Sequence, residues 1–157
     1  MYIAGVQETL KILEDKMYKI EQMDINNYSE IINLWKNTIG VGLSGKDDSK
    51  KSIKRYLEKN PNTCFTAKYD GKIIGTIMAG NDGRRGIIYH LMVKPEYRKK
   101  GIGKKLLKKA ENSLKKEGIR KIIMFVFKEN KTGNIFWENN GYKIRKDLNF
   151  RAKVIME

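Results

Sequence analysis

Several residue types that carry whole classes of chemistry are almost missing from this chain of 157 residues. Cys64 is the one cysteine, which excludes an internal disulfide and a cysteine-rich zinc site. His90 is the one histidine, so a multi-histidine metal centre is excluded too, and no metal site is expected. The longest unbroken apolar run, Ile122 to Phe127, has six residues and is far too short to cross a membrane. The first twenty residues carry Glu8, Glu14 and Asp15 and lack the apolar stretch of a signal peptide. Arginine is scarce, with seven against 26 lysines, although bidentate recognition of bases and phosphates favours it. A soluble, cytoplasmic chain without a membrane partner is expected.

What is present begins with charge. The formal net charge is +15, and the stretch from Lys94 to Lys121 holds 12 basic residues against three acidic ones. A polyanionic ligand near that stretch is plausible on electrostatic grounds. A nucleic-acid partner is not favoured, because no helix-turn-helix spacing or RNA-binding aromatic motif accompanies the charge. With 40% apolar residues the chain has enough material for one core.

Apolar spacing predicts a helix over residues 1–16, read as an N-terminal extension to a domain spanning 17–157. Tyr18 to Gln22 alternates like a strand. Helices follow to about Thr38 and from Asp47 or Ser49 to Lys59, separated by the glycine-rich stretch Gly40 to Gly45. The period then changes. Thr63 to Tyr69 and Lys72 to Ala79 read as strands joined by Asp70-Gly71, a two-residue hairpin signal. Ile87 to Val93 reads as a buried strand, Gly101 to Glu117 as an amphipathic helix stopped by Gly118, and Lys121 to Phe127 as another strand. A short helix from Thr132 to Asn140 precedes a last hairpin, Tyr142–Arg145 with Phe150–Ile155. The order describes a mixed α+β domain around a central sheet.

The most informative segment is Arg98-Lys99-Lys100-Gly101-Ile102-Gly103-Lys104, where a strand passes through two glycines into a long helix. A helix start leaves backbone N–H groups unpaired and carries the positive end of the macrodipole. Glycine lets a phosphate approach the backbone closely, so a pyrophosphate is the natural guest. The bland alternative is a tight turn that needs glycine for geometry alone. The segment is neither a Walker loop nor G-x-G-x-x-G, since position 106 is Leu.

Arg98-x-x-Gly101-x-Gly103 resembles the pyrophosphate-loop motif of the GNAT-type N-acetyltransferases. Glu129-Asn130 through Phe136-Trp137 to Gly141-Tyr142 is similar to that family's second motif, and Gly75 to Gly86 resembles its YpeA-like branch of small bacterial acetyltransferases. The resemblance implies a GNAT fold: a central mixed, largely antiparallel sheet splayed between its fourth and fifth strands, with helices on both faces. It implies an N-acetyltransferase that takes acetyl-CoA as cosubstrate and acetylates a primary amine of a small molecule or peptide by direct attack in a ternary complex. Arg98 to Lys104 would hold the pyrophosphate. Leu91, Met92 and Val93 would line the pantetheine arm, with the N–H of Met92 or Val93 polarising the thioester carbonyl. Asn130, Phe136 and Trp137 would flank the coenzyme.

The chain departs from the family pattern at both usual catalytic positions. Trp137 stands where many members place a proton-donating Tyr, and Ile87 and Phe125 stand where many place a basic Glu. His90, Tyr89 and Glu129 are the remaining titratable candidates near the splay; His90 or Tyr89 is expected to take the amine proton, and strict strand alternation would put those two on opposite faces. A histidine packed inside the sheet is the equal alternative for His90, and Cys64 reads as a small buried residue rather than a nucleophile. A non-catalytic coenzyme A binder on the same fold is the first alternative, and a basic nucleic-acid-binding domain the second. The last strands offer an edge for a homodimer.

Overall fold

The computed structural model describes residues 3–9 and 18–157. Residues 3–9 are helical; the rest of the helix predicted over residues 1–16 lies outside the described residues. The chain divides into two compact units, residues 1–125 and residues 126–157.

The first unit contains β1 (Lys19–Gln22), a 3-10 turn (Ile25–Asn27), α1 (Tyr28–Lys36), α2 (Lys50–Lys59), β2 (Phe65–Tyr69), β3 (Lys72–Asn81), β4 (Gly86–Val93), a second 3-10 turn (Pro95–Tyr97), α3 (Ile102–Lys116) and β5 (Ile122–Met124). The strands form one sheet in sequence order, antiparallel throughout except for the parallel pair β4–β5. The expected mixed, largely antiparallel sheet is therefore present.

Local chemistry explains the element ends. Asp24 caps the first turn by accepting the Asn26 N–H at 2.9 Å, and the Ser49 hydroxyl caps α2 through the Ser52 N–H at 3.3 Å. Asp70 and Gly71 both have positive φ, +48° and +73°, as the primed hairpin turn between β2 and β3 requires. Gly118 ends α3 at φ +82°, with the Ile119 N–H reaching back to the Leu114 carbonyl at 3.1 Å.

The sheet has helices on both faces, and adjacent residues of β3 show it. A Cβ on Gly75 would meet Leu106 of α3 at 3.2 Å, whereas Thr76 bonds Trp35 of α1 on the other face. The α3 side is lined by its buried residues Ile102, Leu106, Leu107, Ala110 and Leu114. The opposite core gathers Ile31, Leu34, Trp35, Ile53, Cys64, Met78 and Met92.

Two features of β4 position the site. β4 pairs with β5 at Gly86, Ile88 and the residue between them, and among the described residues no strand pairs with that edge beyond Ile88. This is the expected splay, and the predicted strand Lys121–Phe127 is correspondingly shortened to Ile122–Met124. The ladder to β3 slips between Thr76–Met92 and Met78–Tyr89, leaving His90 and Leu91 opposite Ile77 alone. That is a β-bulge, and His90 sits in it at φ +49°.

In the second unit α4 (Lys131–Asn139) starts at Asn130 and ends at Gly141, φ +87°. The Tyr142 N–H bonds the Trp137 carbonyl at 3.0 Å and the Gly141 N–H that of Glu138 at 3.0 Å. The expected last hairpin is not formed: residues 143–157 carry no regular structure. Alternation alone suggested it, but the connection from Lys146 to Asn149 has no glycine. There Arg145 turns locally onto Asp147 instead, with bonds of 2.8 and 2.7 Å. A two-stranded hairpin without further strands is marginal in water.

Candidate active site

The segment Arg98–Lys104 leads from the second 3-10 turn into the start of α3. Lys99 and Gly101 both adopt positive φ, +61° and +80°. Gly101 is the N-cap of α3 and supplies no side-chain cap, and the first helical bond runs from the Lys105 N–H to the Gly101 carbonyl. The N–H groups of Ile102, Gly103 and Lys104 are thus the uncapped first donors of the helix, at its positive end. A Cβ on Gly101 would meet nothing within 4 Å, so φ rather than crowding is what demands glycine there. Alternating left-handed residues make a concave run of N–H groups suited to an anion.

Arg98 does something the sequence did not suggest. Its Nε donates to the Val93 carbonyl at 2.9 Å and so ties the loop back to the end of β4. Lys100 lies over the Tyr97 ring, 5.7 Å from its centroid.

The open edge of β4 faces a defined set of backbone groups. The Lys94 N–H donates to the Ile74 carbonyl of β3 at 2.8 Å. Alternation along the strand therefore turns the Met92 amide toward β3 and the Leu91 and Val93 amides toward the open edge. Of the two oxyanion donors expected from the sequence, Val93 has the suitable direction.

The bulge overturns the expectation that Tyr89 and His90 lie apart. Their rings are 6.5 Å apart, and Tyr89 also meets Tyr56 edge to face at 6.1 Å. His90 stacks on Trp35, centroids 4.2 Å apart and planes inclined by 34°. Its Nε2 lies 2.7 Å from Asp48 Oδ1, and both side chains are close to buried, 12% and 10% exposed. Asp48 Oδ2 accepts the Ser44 N–H at 2.8 Å, and Tyr28 donates its hydroxyl to the Asp48 carbonyl at 2.7 Å. Burial on its own pushes the Asp48 carboxyl up, but the bonds from His90 and the Ser44 N–H, with the charge of His90, hold it below its ordinary value. An ionised carboxylate only accepts, so the hydrogen between the two lies on Nε2, which leaves Nδ1 as the ring nitrogen turned away from Asp48.

The phenols and the thiol nearby are not bases at neutral pH. Burial, followed by the charge of Asp47, pushes the Tyr89 phenol up, and burial raises Tyr56 further. The Cys64 thiol is 2% exposed, donates to the Ala79 carbonyl at 3.3 Å and is pushed by burial to about 12. Asp48, missed as a partner for His90, lies 42 residues away in sequence.

In the second unit Asn130 is occupied as a cap: its Oδ1 accepts the Gly133 N–H at 2.9 Å. Phe136 and Tyr142 each meet the Trp137 ring edge to face, at 5.3 and 4.9 Å.

Residues 28–142 match the family described as the acetyltransferase (GNAT) family. The chain belongs to the GNAT acetyltransferases. A curated relative, an acetyltransferase of Photorhabdus laumondii, is 33% identical over 136 residues, covering 84% of this chain and 92% of the relative. Among solved structures, the PaiA N-acetyltransferase of Thermoplasma acidophilum, in complex with coenzyme A, has a TM-score of 0.72 at 24% identity over 82% of this chain and 91% of its own. The diaminobutyrate acetyltransferase EctA of Paenibacillus lautus, in complex with its substrate L-2,4-diaminobutyric acid and coenzyme A, has a TM-score of 0.66 at 20% identity over 78% and 74%. Family membership makes this GNAT protein an acetyl-CoA-dependent acetyltransferase. Its uncapped helix start, left-handed Gly101 and open β4 edge fit a long pyrophosphate-containing cosubstrate. Among the described residues no helix is long and apolar enough to cross a membrane, and no group of three or more His, Cys, Asp or Glu side chains is placed to hold a metal ion.

Proposed function

We propose that this GNAT protein acetylates a primary amine of a small molecule, with His90 as the general base and Asp48 as the group that sets its tautomer. The His90 Nε2–Asp48 Oδ1 contact of 2.7 Å, in the bulge beside the open edge of β4, carries the reading. Bound acetyl-CoA supplies an activated acetyl thioester. The N–H groups of Ile102, Gly103 and Lys104 hold its pyrophosphate, with Lys99 and Lys100 adding charge. The Leu91 and Val93 amides align the arm as an added strand would. The Val93 N–H polarises the carbonyl, a type of contact worth roughly 3–4 kcal/mol in acyl transfer. His90 Nδ1 takes the proton of the attacking amine, and Asp48 stabilises the imidazolium that results. His90 thereby fills the role left open by Ile87 and Phe125. Fold neighbours hold coenzyme A with amines such as diaminobutyrate, which supports a small amine as acceptor.

A panel of primary amines, read by release of free coenzyme A thiol, tests this. With the best acceptor, His90→Gln is expected to lose about 100-fold in kcat/KM, as removal of a general base does, while KM for acetyl-CoA stays the same. Full turnover in His90→Gln with an unchanged pH profile would remove the base assignment.

A further inference from the structure

A residue held at φ +49° inside a ladder stays there only if its surroundings fix it, even though histidine tolerates this region better than most side chains. Two buried groups meet His90 from β3 and α1. The Thr76 hydroxyl, fully buried, donates to the His90 carbonyl at 2.8 Å. It accepts from the Trp35 indole N–H at 2.9 Å. The same indole stacks on the imidazole at 4.2 Å, so Trp35 and Thr76 hold both the ring and the backbone of one residue.

The polarity of this relay is fixed by chemistry. An indole N–H can only donate and a carbonyl can only accept, so the single hydroxyl proton of Thr76 must point to His90. A bulge pulls a strand carbonyl out of its ladder, and here the partner strand replaces the lost backbone donor with a side chain. Thr76 stands directly across from Met92, the first residue paired beyond the bulge. Asp48 engages Nε2 only and leaves the backbone of His90 untouched.

We propose that Trp35 and Thr76 are positioning residues, which hold the His90 imidazole at the acceptor side of β4; the proposal rests on the reading of His90 as the base. Asp48 determines which nitrogen carries the proton. Trp35 and Thr76 determine where the ring stands. Neither needs to touch the amine or acetyl-CoA.

The chain has a single histidine, so the imidazole nitrogens give an unambiguous long-range proton–nitrogen NMR signal. Thr76→Val, Thr76→Ser and Trp35→Phe are compared with the full-length wild type for kcat, both KM values, the pH profile and that signal. Thr76→Val keeps the shape and removes the hydroxyl. It is expected to lower kcat about tenfold or more, as displacement of a catalytic group does, with KM for acetyl-CoA unchanged. Its nitrogen signals should move away from the wild-type pattern, because a ring that is no longer held loses its contact with Asp48. Thr76→Ser, which keeps the donor, should recover most of the turnover and the wild-type pattern. Trp35→Phe keeps a stacked ring but removes the indole N–H, and should fall between the two. If Thr76→Val does not fold, Trp35→Phe decides alone: wild-type kcat and nitrogen signals in that variant overturn the proposal. Folded Thr76→Val with wild-type kcat, pH profile and nitrogen pattern overturns it as well. The two readings fail separately, because full turnover in His90→Gln removes the base while the nitrogen pattern of Thr76→Val still reports whether the ring is held.

Discussion

The two faces of the central sheet are built from the same strands and do different work. Against α3 the contact is apolar, with Leu106 over Gly75 and Leu114 over Gly86. Against α1 and α2 the core is apolar as well, but polar groups are threaded through it: Asp48, Asn60, Thr66 and Thr76 are all buried. Two of these, Asp48 and Thr76, converge on His90. A buried polar group costs free energy unless it is bonded, so a face that carries several is shaped by more than stability. The α3 face is closed by apolar packing, and the opposite face carries the His90–Asp48 pair proposed as the base. Neighbours such as Gly75 and Thr76 serve the two separately because successive strand residues point to opposite sides.

Substitutions can break or sharpen this division. Leu106→Ala, on the α3 face, should have the largest effect, about 3 kcal/mol of stability from lost burial and an unfilled cavity. Its kcat at a temperature where it is folded should stay at the wild-type value, and a matched fall in kcat would erase the contrast between faces. Gly80→Ala comes next. Its Cβ would stand 2.5 Å from the Tyr56 hydroxyl and 2.7 Å from Asn60 Oδ1, so one of them must shift. About 1–3 kcal/mol of overpacking is expected, together with a raised KM for the amine and an unchanged KM for acetyl-CoA.

Asp48→Asn should show the reverse of Leu106→Ala, with kcat down about tenfold and a modest loss of stability. The pH dependence gives its sign. The Asp48 carboxyl is held below its ordinary value in the fold, so its contribution is complete above the unfolded value of about 4 and fades as pH falls through the lower folded value. The difference in Tm between wild type and Asp48→Asn should therefore be present at pH 7 and close in acid. A gap that widens on acidification would contradict the carboxylate account. The smallest effect belongs to Cys64, on the His90 face but outside the proposed chemistry. With its thiol raised to about 12 by burial, it should resist a thiol reagent at pH 8 until the chain unfolds.

The legible parts of this molecule are those where one residue type answers one local demand. Asp70-Gly71 marked a hairpin and Gly101 a left-handed helix start, because glycine or aspartate at such places satisfies the backbone itself. The His90–Asp48 pair was not legible, since no spacing rule joins residues 42 apart. The bulge was hidden for a related reason: it is stabilised by a hydroxyl on the neighbouring strand rather than by a glycine in β4. Strict alternation then put Tyr89 and His90 on opposite sides, and one extra residue was enough to undo that. The last hairpin failed differently. Phe150 to Ile155 alternates well, yet Phe150 and Ile155 are 72% and 90% exposed, and a strand pattern does not supply a sheet to join.

The parallel contact between β4 and β5 bears on how the protein assembles. The antiparallel strands β2, β3 and β4 follow one another through short turns, so their pairing closes small loops. β5 reaches β4 only after the chain has passed through the whole of α3, and then pairs over three residues. The same brevity that leaves the edge of Leu91 and Val93 open makes β5 the late and lightly held strand of the sheet. Its amides should exchange hydrogen with water well ahead of those in β3, and a guest lying along β4 would slow them by joining the seam that folding leaves until last.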